Sequence, residues 1–315
     1  MKILFTCDLH GRKNLYDEML EYAPENRCDC ILIGGDLLPT HVAAPIRLIT
    51  GGVDFNGSLA VQIDFIDSYL VPVLGAFMQK HPDIRLLYVP GNHDWKTAVK
   101  HLMKSLPDAR CIHGDMKTFD GITFMGYGCV TYSPFWVKDY VRRDSRDSRY
   151  VSSRYPFVST EDGVRLSEEG AYALAKPSIA EELSALSLED PHNTVCIFHC
   201  PPFRTGLDTL HDGKPIGSRS IAEYIAQQQP MVSLHGHIHE SPYMSGLFKV
   251  KLGRTLSINP GHHLRQLHAV FFDTSDPHST ITHRVFETQS PKESGIDRFA
   301  RRIKAFFIKT VLIKR

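Results

Sequence analysis

Five short apolar runs in this chain end in turns that carry acids, amides or imidazoles. "KILFTC" (2–7) leads into Asp8 and His10, "CDCILIGG" (28–35) into Asp36, and "IRLLYVP" (84–90) into Asn92, His93 and Asp94. "NTVCIFHC" (193–200) carries His199 near its end, and residues 231–235 lead into His237 and His239. Runs of this length, bounded by glycine, proline or polar turns, read as buried strands. Between them lie segments with helical spacing: 12–22, 58–81 with an expected interruption before Pro72, a stretch from Trp95, 177–187 and 217–228. Strands alternating with helices predict an α/β layering with parallel pairing. In such sheets the carboxyl ends of the strands line one crevice. The five turns can therefore open into a single site.

The stretch "SLHGHIHES" (233–241) sharpens this, because His235, His237 and His239 alternate. Alternation is also the period of a strand, so a solvated strand face is the plain alternative. The other turns weigh against it, since they supply the remaining ligands a metal would need. Asp and Asn offer hard oxygens and His offers borderline nitrogens, a mixture suited to Mn, Fe or Zn. Two divalent ions can clamp the attacking and leaving oxygens of an in-line phosphoryl displacement. One carboxylate must then be shared between them, and Asp36 is suited to it. Glycines at 34, 35, 91, 236 and 261 let backbone come close to the site.

The blocks Asp8-Leu9-His10, Gly35-Asp36, Gly91-Asn92-His93-Asp94, His199 and Gly236-His237-Ile238-His239, in that order, resemble the calcineurin-like metallophosphoesterases. The resemblance covers roughly residues 1–275. It implies two facing mixed β-sheets flanked by helices, an α/β sandwich of four layers. It also implies a ligand set for two metals. Asp8, His10, Asp36 and His239 would hold the first, and Asp36, Asn92, His199 and His237 the second. A metal-bridging hydroxide would attack phosphorus. His93 would steady the transition state or protonate the leaving oxygen, with Asp94 orienting it. Asp94 as the cap of the helix near Trp95 is the simpler alternative. His235 has no ligand role in this scheme and is expected to be structural.

Composition bounds the partners. Thirty-six basic and 35 acidic side chains leave a formal charge of +1, which gives no general attraction to nucleic acid or acidic lipid. A small-molecule phosphate ester, mono- or diester, is the expected substrate. A nuclease of the same superfamily is a rival, but no basic module is evident. Hydrolysis of a lipid-linked pyrophosphate at a membrane surface is another, though that branch carries Arg where His93 stands. "GDLLPT" and "GNHD" depart from the protein Ser/Thr phosphatase blocks. A non-catalytic scaffold would have lost ligands, and none is missing. Seven cysteines without a CxxC pair fit reduced thiols and a cytoplasmic setting. No secretory signal and no run of about 18 apolar residues is expected to reach a bilayer.

Residues 1–290 are expected to form the catalytic domain. Inside it, 131–166 is a polar insert that could be a lid or a disordered loop, and its Arg142, Arg143, Arg146, Arg149 and Arg154 could grip an anion. Residues 291–315 form a basic amphipathic extension, with seven basic residues from Ile296 onward against Asp297. It is expected to dock on protein, with the membrane surface as the alternative. His262 and His263 of "NPGHH" could line the pocket or lie exposed. The oligomeric state has no sequence signal.

Overall fold

The computed structural model describes residues 1–40, 55–131, 133–148, 156–167 and 175–286. The chain divides after Val285, into Met1–Val285 and Phe286–Arg315. The extension at 291–315 and Arg149 and Arg154 of the insert lie outside the described residues.

The strands are β1 (Lys2–Thr6), β2 (Cys30–Gly34), β3 (Arg85–Val89), β4 (Arg110–Cys111), β5 (Asp115–Phe119), β6 (Ile122–Tyr127), β7 (Phe157–Thr160), β8 (Gly163–Leu166), β9 (Thr194–Phe198), β10 (Val232–Leu234), β11 (Lys249–Leu252), β12 (Thr255–Ile258), β13 (Ala269–Asp273) and β14 (Thr282–His283). They form two mixed six-stranded sheets. The first has the order β14-β13-β1-β2-β3-β4, and the second β11-β12-β10-β9-β6-β5. Within the first, β1, β2 and β3 run parallel, with Ile3 opposite Cys30 and Ile31 opposite Leu86. Within the second, β6, β9 and β10 run parallel. This is the expected architecture: two facing mixed sheets flanked by helices.

Period-two alternation explains why the strands are apolar on both faces. Ile3, Phe5, Cys30, Leu32, Leu87 and Val89 of the first sheet meet Phe124, Val195, Ile197, Val232 and Leu234 of the second in one core. The alternate residues Leu4, Ile31, Ile33, Cys196 and Phe198 face the helix layers instead. Burying each such side chain contributes about 1.5–3 kcal/mol. Phe5 also packs where a Gly34 Cβ would stand, so Phe5→Ala would open a cavity at the sheet interface and cost about 3–5 kcal/mol.

Helices α1 (Lys13–Glu25), α2 (Phe55–Phe65), α3 (Val71–Lys80), α4 (Lys96–Ser105), α5 (Ile179–Ser184) and α6 (Arg219–Gln228) fill the outer layers. Ser178 caps α5 in a reciprocal box with Glu181, and the Ser218 hydroxyl caps α6. The expected break before Pro72 is absent. A π-helical turn, Ile66–Leu70, carries α2 into α3. The widened turn accommodates a proline that has no N–H to give. The joined helix Gly57–Lys80 is, by length and composition, apolar enough to cross a bilayer, contrary to the sequence reading. Yet Ile66, Tyr69, Leu70, Leu74 and Phe77 are buried against the core, while Asp64, Asp67 and Lys80 point outward. One face of the helix therefore packs on the core and the other is exposed.

The described residues of the polar insert pack into the fold. Lys138, Asp139, Tyr140, Val141 and Arg142 are buried. The Asp139 carboxylate accepts from the Lys96 N–H at the start of α4 and from Ser159 in the β7–β8 hairpin. The Arg142 guanidinium is engaged within the protein. It pairs with Glu182 at 3.1 Å and donates to the carbonyls of Asp139 and Val141.

Candidate metal centre

The parallel strands bring the five ligand-bearing turns to one edge. The turns after β1 and β2 keep pairing past the strands: the Asp8 N–H reaches Gly35 O at 2.9 Å, and the His10 N–H reaches Asp36 O at 2.8 Å. The turn after β10 is tied to the end of β9 through Gly236 N–H and His199 O at 3.0 Å. Asp8, His10, Asp36 and His237 all sit at positive φ, 57°, 48°, 52° and 66°. Non-glycine residues in that region hold a strained backbone, which concentrates at functional sites.

One potential ligand atom from each of Asp8, His10, Asp36 and His239 lies within 4.8 Å of the others. Around the same Asp36 carboxylate stand His199 Nε2 at 3.4 Å, His10 Nε2 at 3.8 Å and His93 Nε2 at 4.0 Å. Asn92 Oδ1 is 3.2 Å from His199 Nε2, and the rings of His199 and His237 are 5.2 Å apart. Asp36 thus stands between two sets of donors. Backbone crowds this carboxylate: a Cβ on Gly91 would lie 2.2 Å from Asp36 Oδ1, so only glycine fits.

The electrostatics are those of a cation site. Asp8 and Asp36 are buried, and their ion-pair partners among the described residues are all imidazoles. Burial pushes both carboxyls up, but His239 and His199 beside Asp8, and His199 and His93 beside Asp36, hold both below the usual carboxylate range. Burial pushes His199 down, and Asp36 more than reverses it, to about 9. Burial likewise lowers His239, and Asp8 raises it above its ordinary value. Burial lowers His10, His93 and His237, the last to about 3. Each carboxylate thus faces an imidazole whose protonated form it favours, and a cation can take the place of that proton.

The second nitrogens are anchored as metal-binding histidines need. His199 Nδ1 donates to Gly34 O at 2.8 Å, which turns Nε2 to the site. His10 Nδ1 meets Thr40 Oγ1 at 2.8 Å. The Asn92 amide donates to Ser133 Oγ at 3.2 Å, which turns its oxygen inward. Two buried carboxylates, an amide oxygen and oriented imidazoles fit two divalent ions.

His93 borders this cluster, and its backbone N–H donates to Asp36 Oδ1 at 2.8 Å. The expected partner of its ring is not Asp94. The Asp94 carboxylate accepts from the N–H groups of Gly91, Leu37 and Leu38 and braces the two turns. Burial and the Asp36 charge push it up to about 7. Nor does Asp94 cap α4, where Trp95 holds the N-cap position with no side-chain bond. Thr40 takes the ring instead, with Oγ1 3.0 Å from His93 Nδ1. A pocket beside His93 is lined by Thr40, Ser58, Gln62, Phe135, Trp136 and Val137. His262 also joins the site, its ring 4.8 Å from His239 and 5.5 Å from His10. His235 is structural, stacked on Phe198 and bonded to Cys200 O and Ser233.

The fold and the site define a class of protein: an α/β double-sheet sandwich with an Asp/His cluster at its strand ends. The chain belongs to the calcineurin-like phosphoesterase family, whose model matches residues 1–241. One solved structure superposes with a TM-score of 0.57 at 18% identity, covering 90% of this chain and 98% of that one. The TT1561 protein of Thermus thermophilus superposes with a TM-score of 0.52 at 17% identity, over 90% and 97% of the two chains. At such identities the likeness is one of fold. No curated protein sequence matches the chain.

Proposed function

We propose that this protein is a dinuclear metal-dependent phosphoesterase acting on small-molecule phosphate monoesters or diesters. The observation that carries the reading is the gathering of Asp8, His10, Asp36 and His239 within 4.8 Å, with His199 against Asp36 and Asn92 and His237 beside His199. Asp8, His10, Asp36 and His239 would hold one ion, and Asp36, Asn92, His199 and His237 the other. When bound, two such ions supply the positive charge and nucleophile activation that an in-line phosphoryl displacement needs. The protein's own part is positioning. Asp36 Oδ2 faces an imidazole of each donor set, His10 and His199, and the anchored imidazoles keep their free nitrogens aimed inward. His93 faces the same space and steadies phosphoryl oxygens or protonates the leaving oxygen. Mn, Fe and Zn all suit the donors. The near-neutral charge supports a small soluble substrate over nucleic acid, and seven free thiols support a cytoplasmic setting.

The test is a screen of mono-, di- and cyclic phosphates with manganese or zinc, beside metal analysis. Asp36→Asn should lose metal and activity together. His93→Ala should keep metal and turn over about 100-fold more slowly. Metal binding without hydrolysis of any ester would point to a scaffold and overturn the reading.

A further inference from the structure

One hydroxyl joins two imidazoles that serve different ends of the site. Thr40 Oγ1 lies 2.8 Å from His10 Nδ1 and 3.0 Å from His93 Nδ1. A hydroxyl has one proton, so it donates to at most one of the two rings. The other ring nitrogen of His10 sets the direction. Nε2 faces the cluster, 3.8 Å from Asp36 Oδ2 and 3.2 Å from His239 Nε2. An imidazole that gives its Nε2 lone pair to a cation carries its proton on Nδ1. That proton goes to Thr40 Oγ1, which leaves the Thr40 proton free to be given to His93 Nδ1. His93 then has a bare Nδ1 and a proton on Nε2, the atom 4.0 Å from Asp36 Oδ2.

Neighbouring contacts fix this pose. The buried Gln62 amide donates to both Pro39 O at 3.1 Å and His93 O at 2.8 Å, tying the Thr40 loop to the His93 loop. Phe135 packs on the His93 ring at 3.9 Å between centroids. We propose that Thr40 is a positioning residue that relays hydrogen bonding from the metal ligand His10 to His93 and keeps a proton of His93 on Nε2, facing the site. His93 thereby donates a hydrogen bond to a phosphoryl oxygen. The proposal rests on the phosphoesterase reading and names what orients His93 within it.

The experiment compares the zinc-loaded protein with Thr40→Val and Thr40→Ser, labelled with 15N in its histidine rings. A His93→Gln variant assigns the His93 signals. The native protein and Thr40→Ser should show His93 protonated on Nε2 alone. Thr40→Val should show a mixture of tautomers, bind zinc about 10-fold more weakly, and at saturating zinc lose about 10-fold in kcat with little change in KM. A native His93 protonated on Nδ1, or a Thr40→Val protein with unchanged tautomer, would overturn the proposal. Zinc binding without ester cleavage would sink the phosphoesterase reading and leave the tautomer result standing. Failure to bind zinc would remove both.

Discussion

His199 Nδ1, at the end of β9 in the second sheet, donates to the Gly34 carbonyl at the end of β2 in the first, over 2.8 Å. One side chain thus ties the two sheets together and offers its other nitrogen to the site, 3.4 Å from Asp36 Oδ2 and 3.2 Å from Asn92 Oδ1. Fold and chemistry share this contact.

Gly35 makes that contact possible. Its φ is +100°, and a Cβ there would lie 2.3 Å from His199 Nδ1. Gly35→Ala should cost about 1–3 kcal/mol through backbone strain, and it should also push the imidazole off Gly34 O. Metal affinity should fall about 10–100-fold. Urea unfolding alongside a zinc titration checks both effects. Native affinity in a folded Gly35→Ala protein would show that His199 does not hold metal from this position.

Metal removal should make stability depend on alkaline pH. In the metal-free protein His199 is raised from 6.5 to about 9, held charged by Asp36 against the pull of burial. A raised pKa means the stabilisation is full below about 6.5 and is lost as pH rises through about 9. The metal-free protein should therefore weaken across that window. Zinc displaces the proton, so the loaded protein should not weaken there, and loading at pH 7.5 should release protons. Zinc at about 100 times its Kd should add about 2.7 kcal/mol. Calorimetric titrations in two buffers of different ionisation enthalpy read the proton release. No release at neutral pH would contradict the imidazolium assignment.

Acid should unfold the protein for a different reason. Burial lowers His235 to about 3, and His268 and His283 to about 4, each against a hydrogen bond that pulls the other way. These rings are neutral in the fold and titrate near 6.5 in the unfolded chain. The unfolded state then binds more protons, and stability falls as pH drops below about 6.5. His235→Asn should cost about 1–3 kcal/mol at pH 7.5 by leaving Cys200 O or Ser233 without its partner. It should also flatten the loss between pH 7.5 and 5, measured as the urea midpoint at each pH. An unchanged slope would remove His235 from the acid response.

The sequence carried the site where ligands follow strands directly. Asp8, Asp36, Asn92, His199 and His237 each stand within three residues of a strand end, so local pattern and parallel topology suffice to gather them. Residues that arrive by tertiary packing had no such signal. Gln62 reaches the site from the middle of α2, and Ser133 from the polar insert. Thr40 shares the Asp36 turn, but nothing in its spacing marks the two rings it meets. Asp94 was misassigned because adjacency in sequence stood in for adjacency in space. In the turn, His93 faces the cluster while Asp94 turns back to three N–H groups. The sequence does not say whether His262 lines the pocket, because the proximity of its ring to His239 and His10 comes from the fold of the loop after β12.

The insert should matter to the site through two residues with separable effects. Ser133 Oγ accepts from the Asn92 amide at 3.2 Å, and Lys138 Nζ holds the Ser133 carbonyl at 2.5 Å. Ser133→Ala frees the amide to rotate, so Asn92 Oδ1 no longer stays turned toward His199. Metal affinity at that side should fall about 10-fold, with a stability loss of about 1 kcal/mol. Phe135 packs on the His93 ring, and it is 37% exposed. Phe135→Ala should leave metal affinity intact while lowering kcat, because the His93 ring gains freedom to swing. Zinc titration and steady-state kinetics on an aryl phosphate distinguish the two. If neither variant changed affinity or turnover, the 131–166 segment would serve packing alone, and the orientation of Asn92 would have to come from the metal itself.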